Sequence, residues 1–186
     1  FAQQKACTLR YVENATLTTT SGAFSYVFSA NGLFDPNITQ GGHQPLYFDQ
    51  SMAIYNQYTV VRSRIKITLA QNSSGPTTYT LNIGDAATPP TSVTQALEQV
   101  GAVGALAVGT GGGPIVLKQN WSATKTFGVN PQANNLLRGT SASNPTEQSY
   151  YHVLISDSTL GNTDFSFLAE LEYDVVFDEL KTIALS

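Results

Sequence analysis

Alternation with a period of two runs through most of the chain. Residues 8–17 place Leu9, Tyr11, Ala15 and Leu17 on one side and Thr8, Arg10, Asn14 and Thr16 on the other, with Val12 and Glu13 interrupting the pattern. After turn residues at 19–22, Phe24, Tyr26 and Phe28 alternate with Ser25, Val27 and Ser29, an aromatic face suited to a core. Residues 59–69 turn Val61, Ile65, Ile67 and Leu69 inward, and residues 77–83 do the same with Thr77, Tyr79, Leu81 and Ile83. Residues 105–108 read as a weak strand, 115–127 as a long one containing Trp121, and 150–155 as another. The clearest strand is the last, 165–177, where Phe165, Phe167, Ala169, Leu171, Tyr173, Val175 and Phe177 share one phase.

Two stretches depart from this rhythm. Residues 31–58 crowd Gly32, Asp35, Pro36, Gly41, Gly42, His43 and Pro45 between two strands, more turn chemistry than a hairpin uses, so they predict a shaped crossing. Within it, Phe48, Met52 and Tyr55 stand at i, i+4 and i+7, the spacing of one buried face of a short helix over 48–58, with Asp49 in its first turn. Further on, Ser92 and Gln95 form a capping box for a helix of about three turns carrying Val93, Ala96, Leu97 and Val100, with Gly101 as its stop. Eight or so strands, irregular loops, two short helices and no βαβ rhythm predict an all-β fold. The long crossings favour a single jelly roll, an eight-stranded antiparallel β-sandwich.

With 186 residues the chain is expected to form one domain spanning 1–186. Only 12% of its residues are charged and the formal net charge is −4, so a surface rich in Thr, Ser, Asn and Gln can be covered by copies of itself. A single cysteine, Cys7, rules out an intrachain disulfide, and no Cys/His zinc spacing occurs. No apolar run has the length of a membrane helix and no secretory leader is recognisable; the start at Phe1 reads as a trimmed or processed end.

Three blocks, NGLFDP, GHQPLYFDQSMAIYNQYTVVRSRI and RGTSASNPTEQSYYHV, resemble the shell domain of capsid proteins from circular, Rep-encoding single-stranded DNA viruses of the circovirus kind. The likeness extends over about residues 8–177. It implies a jelly roll whose strands B to I form B-I-D-G and C-H-E-F sheets, many copies of which close into a small icosahedral shell around a circular single-stranded DNA genome. It also implies a virion protein assembled in the host nucleus or cytoplasm, with a host receptor that no motif specifies.

That strand order makes a prediction about charge. Arg62, Arg64 and Lys66 lie on the non-core face of strand D, and Glu170, Glu172 and Asp174 on that of strand I, its neighbour in a B-I-D-G sheet. Three cations then meet three anions, Lys66 with Glu172 among the expected pairs, while Arg10 of strand B and Lys118 of strand G flank them; with Lys5 near the start, these cations are the candidate inner-face ladder and weak nucleic-acid contact. Five cations (Arg10, Arg62, Arg64, Lys66, Lys118) less three anions leave about two charges for phosphate, a weak and salt-sensitive hold on DNA. The family supplies more from an Arg-rich N-terminal arm; this sequence has only Lys5 and Arg10 near its start, so packaging is expected to rely on an arm outside it, the alternative being a family member that packages by other means.

No catalytic, metal or cofactor site is expected. There is no Gly-x-Ser-x-Gly elbow, and the glycine run at 109–113 lacks the Lys-Ser/Thr of a phosphate loop. His43 reads as a turn-locking hydrogen-bond partner, and His152 as a partner of Tyr150 or of a buried carbonyl. Asp35, Asp49 and Asp85 could bind calcium at subunit contacts, but Asp35 and Asp49 also suit a turn start and a helix start. The sequons at Asn14, Asn37, Asn72 and Asn120 fit chance in so Asn/Ser/Thr-rich a chain, and Trp121 reads as a core or interface anchor. The chain is therefore read as a self-assembling structural protein, not an enzyme. A jelly-roll carbohydrate-binding or adhesion module is the alternative, recognisable by exposed aromatics gathered in one cleft.

Overall fold

Strands of β-branched and aromatic residues, each with one apolar side, are stable only when two such sides face each other. In the computed structural model, which describes residues 2–71, 75–108 and 113–182, they do so as two packed sheets. The elements are β1 (Gln4–Thr18), β2 (Ala23–Ser29), α1 (Phe48–Met52), β3 (Tyr55–Gln71), β4 (Pro76–Gly84), α2 (Val93–Leu97), β5 (Val103–Val108), β6 (Ile115–Ser122), α3 (Ala123–Phe127), β7 (Arg138–Gly139), β8 (Tyr150–Asp157) and β9 (Asp164–Leu180). One sheet has the order β1-β9-β3-β6 and the other β2-β8-β4-β5, all antiparallel, with β7 pairing alongside β3. These are the B-I-D-G and C-H-E-F orders of a jelly roll, so the expected fold is the one observed.

The core lies between the sheets. Tyr26, Phe28, Phe165 and Phe167 are almost fully buried, and Phe28 stacks parallel to Phe167 with ring centroids 5.9 Å apart. β4 and β8 are buried on both faces, because α2 and residues 85–92 cover the outer side where Thr80, Asn82 and His152 sit. The crossing after β2 runs back along that strand's free edge: Ile38 N–H donates to Val27 O at 3.1 Å and Ser29 N–H to Pro36 O at 2.9 Å. Covering an edge in this way removes a template for unwanted strand pairing.

Both sequence-predicted helices are shorter than expected, and one strand hides a third. α1 ends at Met52; Tyr55 is buried as expected, but from the first position of β3, stacked on Phe177 at 6.2 Å. The i, i+4, i+7 spacing is met here by one helical turn followed by a strand. α2 has its predicted N-cap, Gln95 N–H donating to Ser92 Oγ at 3.1 Å, but it stops at Leu97 and buries only Ala96; Val100 is fully exposed. The expected strand over 115–127 gives way at Ser122 to α3, which Gly128 terminates in the left-handed conformation at φ 69°, as a helix-ending glycine does. In β3 a bulge between Val60 and Arg62 puts Val60 in the core, not Val61.

Candidate nucleic-acid interface

The outer face of the β1-β9-β3-β6 sheet carries the charged residues. Strand alternation sends Arg62, Arg64 and Lys66 outward from β3, while Ser63, Ile65 and Ile67 point to the core. The register sets Arg62 opposite Asp174, Arg64 opposite Glu172 and Lys66 opposite Glu170. Lys66 Nζ donates to Glu170 at 2.8 Å; Arg64 spans two anions, reaching Glu172 at 3.2 Å and Asp174 at 3.0 Å. Arg10, from β1 on the other side of β9, also pairs with Glu170. The hydrogen bond from Lys66 and the nearby cations hold the Glu170 carboxyl below the ordinary glutamate range. Thr8 Oγ1 donates to Asp174 at 2.8 Å, adding to its contact with Arg64. Most of these side chains are substantially exposed, so each pair is worth about 0–1 kcal/mol and the ladder acts mainly on register.

Four of the sequence expectations for this face need correction. Lys66 meets Glu170, not Glu172, because the register is displaced by two residues from the expected pair. Lys5 is exposed at the start of β1 in phase with Cys7 and Leu9, the core side, so it stands on the opposite face from the ladder. Lys118 lies directly opposite Lys66, like charge against like, and makes no ion pair among the described residues. Arg62 faces Asp174 in register yet makes no ion pair among the described residues either, Asp174 being held by Arg64 and Thr8.

The sequence blocks behind the resemblance meet in space. Asn144 accepts from the backbone N–H groups of Phe34 and Asp35, each at 3.1 Å, and donates back to Asp35 O at 3.0 Å. Asn31 reciprocates: its Nδ2 donates to Glu147 O at 2.9 Å and its Oδ1 accepts from Ser149 N–H at 3.0 Å. Tyr58, fully buried, accepts from Leu33 N–H at 3.0 Å. Pattern reading missed these clamps; the Asn-Gly and Asn-Pro dipeptides were the signal, legible only as turns. It also missed Asp157, a wholly buried carboxylate held below its usual range by hydrogen bonds from Thr163 and Thr159.

His152 behaves as expected: Nε2 lies 2.8 Å from Ala86 O, Nδ1 lies 3.3 Å from the Asn82 amide, and the ring stacks on Tyr150. Burial lowers its pKa. His43 does not lock its turn by a hydrogen bond among the described residues; it stacks on Tyr11 with centroids 4.6 Å apart. Among the described residues no group of three or more His, Cys, Asp or Glu could hold a metal. Asn37 is buried, donating to Tyr26 Oη and Glu13, which leaves its sequon closed to a glycan. Asn72, and all of the 109–113 glycine run except Gly113, lie outside the described residues. Trp121 is buried against Phe127. Among the described large aromatics only Phe34 and Tyr47 are exposed, and the aromatic cleft expected of an adhesion module is not seen among the described residues. No helix among them is long and apolar enough to cross a membrane.

No family model and no curated protein matches the chain. Solved structures do. The structure of cocksfoot mottle virus is similar over 95% of this chain and 97% of that one, with a TM-score of 0.55 and 10% identity. The empty head of turnip yellow mosaic virus is similar over 100% of this chain and 87% of that one, at 0.52 and 10%, and maize chlorotic mottle virus over 100% and 98%, at 0.50 and 12%. What they share with this chain is the fold. It is the same antiparallel jelly roll, matched nearly end to end.

Proposed function

We propose that the chain is a shell-forming subunit of a small icosahedral virus capsid, a structural protein of the virion with no catalytic role. The observation that carries this is the complete B-I-D-G and C-H-E-F jelly roll, shared along at least 95% of the chain with three virus structures. A low-charge surface supports the same reading, because contacts that close around icosahedral axes are heterologous and benefit from modest, reversible interfaces. The enclosed genome is a single-stranded DNA circle. This finer statement rests on the NGLFDP, GHQPLYFDQ and RGTSASNPTEQSYYHV blocks; the fold neighbours are capsids of single-stranded RNA viruses and lend it no support. With Arg10, Arg64 and Lys66 engaged by carboxylates, the described sheet face offers phosphate only a weak hold.

Electron microscopy of the purified protein, followed by nuclease digestion of what the particles protect, tests both statements. Uniform closed shells are expected, containing nucleic acid that DNase degrades once the shells are opened and RNase does not. Monomers under all salt and pH conditions would overturn the capsid assignment, and an RNase-sensitive content would overturn the DNA assignment alone.

A further inference from the structure

We propose that Arg62 and the polar groups around it form a binding cleft for a phosphate group, separate from the charge ladder and resting on the reading of the chain as a shell around nucleic acid. Arg62 borders a cleft of about 670 Å³ whose polar lining is Ser122, Thr124, Asn130 and Gln132. No carboxylate lines it. The cleft lies where β3 meets the end of β6, Arg62 being paired in register with Ser122.

What distinguishes this cleft from the rest of the sheet is unused hydrogen-bonding capacity. Among the described residues, the Arg62 guanidinium makes neither an ion pair nor a hydrogen bond, whereas Arg10, Arg64 and Lys66 are all engaged by Glu170, Glu172 or Asp174. The nearest anion in register, Asp174, is occupied through Oδ1 by Arg64 and Thr8. The hydroxyls of Ser122 and Thr124 and the carboxamide of Gln132 have no partner among the described residues either, and Asn130 uses only Oδ1, to accept from Gln132 N–H at 3.2 Å. A planar guanidinium flanked by hydroxyl and amide donors suits a tetrahedral oxyanion, which takes two parallel N–H bonds from the fork and single bonds from its neighbours. The neighbouring pocket on the same face is lined by Arg10, Arg64, Lys66 and Lys118, but also by Glu170 and Glu172, which engage three of those four cations and would repel an anion entering there. The difference comes from Asp174: Arg62 stands opposite it in register, but Arg64 and Thr8 hold its Oδ1.

The phosphate could belong to a nucleic-acid backbone or be free in solution, and the two are separable. Binding of a fluorescein-labelled oligothymidylate, and separately of inorganic phosphate followed through the side-chain amide NMR signals of Asn130 and Gln132, is measured on unassembled subunits for the native chain, Arg62→Lys and Arg62→Gln, with thermal melting to show that each variant folds. Both substitutions are expected to weaken binding about tenfold, because lysine keeps the charge but not the fork. Oligonucleotide binding without phosphate binding assigns the cleft to a polymer backbone; both together assign it to any phosphate. Native-like binding by Arg62→Lys, or by Arg62→Gln, overturns the proposal. The capsid reading fails separately, by absence of shells in the microscope, so shells with unchanged binding would sink the cleft alone.

Discussion

Gly32 packs against the carboxamide of Asn144, so closely that a Cβ on Gly32 would overlap it. The two residues come from separate sequence blocks, and the missing side chain of one is the space occupied by the other. In that space Asn144 satisfies two backbone N–H groups and one carbonyl of the crossing. Asn144→Ala would strip these partners and is expected to cost about 2–3 kcal/mol. Gly32→Ala would cost a similar amount by overlap. Combined, the two should cost clearly less than their sum, since removing the carboxamide makes room for the new methyl; chemical denaturation of the four proteins measures this, and strict additivity would contradict the contact.

The charge ladder predicts a measurable coupling in an unexpected place. Lys66 and Glu170 are bonded at 2.8 Å, so a Lys66→Ala and Glu170→Ala double-mutant cycle should give about 0.5–1 kcal/mol, shrinking as salt is added, while a Lys66 and Glu172 cycle should give much less. The pH dependence has a definite sign. Glu170 is held below the ordinary range, so its contribution is complete above about pH 4.3, the usual glutamate value, and is lost as pH falls from there through its folded value. Coupling that persisted in strong acid would mean that the pair is not ionic.

The strand order came with the family resemblance, and period-two patterning supported it, because it assigns each residue a face and set the Glu170, Glu172, Asp174 series beside a cationic strand. Helix limits were not legible. Phe48, Met52 and Tyr55 satisfy a helical spacing and also a turn followed by a strand, and only packing against Phe177 decides between them. The bulge at Val60 and Arg62 was invisible because Val60-Val61 offers two equivalent residues for one core position. Arg62 is placed correctly by its spacing; what the pattern could not show is that Arg64 and Thr8 take the carboxylate opposite it. The Asn31 and Asn144 clamps were hidden for a different reason: their partners are backbone groups more than 100 residues away, which side-chain patterns do not encode.

Trp121 provides a test of where nucleic acid does not bind. It is the only tryptophan, it is buried, and its ring meets Phe127 edge-on at 6.2 Å. Its emission should be blue-shifted in the folded protein, resist iodide quenching, and remain unchanged when oligonucleotide is added. Quenching by the oligonucleotide would indicate a stacked base, and so an exposed ring in place of a core anchor.

His152 should make the fold acid-sensitive in a range where carboxylates stay ionised. Burial is the main cause of its lowered pKa, outweighing the bond to Ala86 O and the charge of Asp85, both of which act to raise it. The folded state therefore holds the neutral ring, with Nε2–H donating to Ala86 O and Nδ1 accepting from the Asn82 amide. Below the unfolded value of about 6.5 the unfolded chain binds the proton more readily, so stability falls as pH drops from about 7 toward 5. Protonating Nδ1 would set an N–H against the Asn82 amide donor and loosen residues 85–92, which Ala86 ties to β8 through His152. Denaturation midpoints measured at intervals from pH 7.5 to 5 should decline for the native chain. His152→Gln should start lower, having lost the well-placed bond to Ala86, and then change little over the same interval; an equal decline in both proteins would place the acid sensitivity in another group.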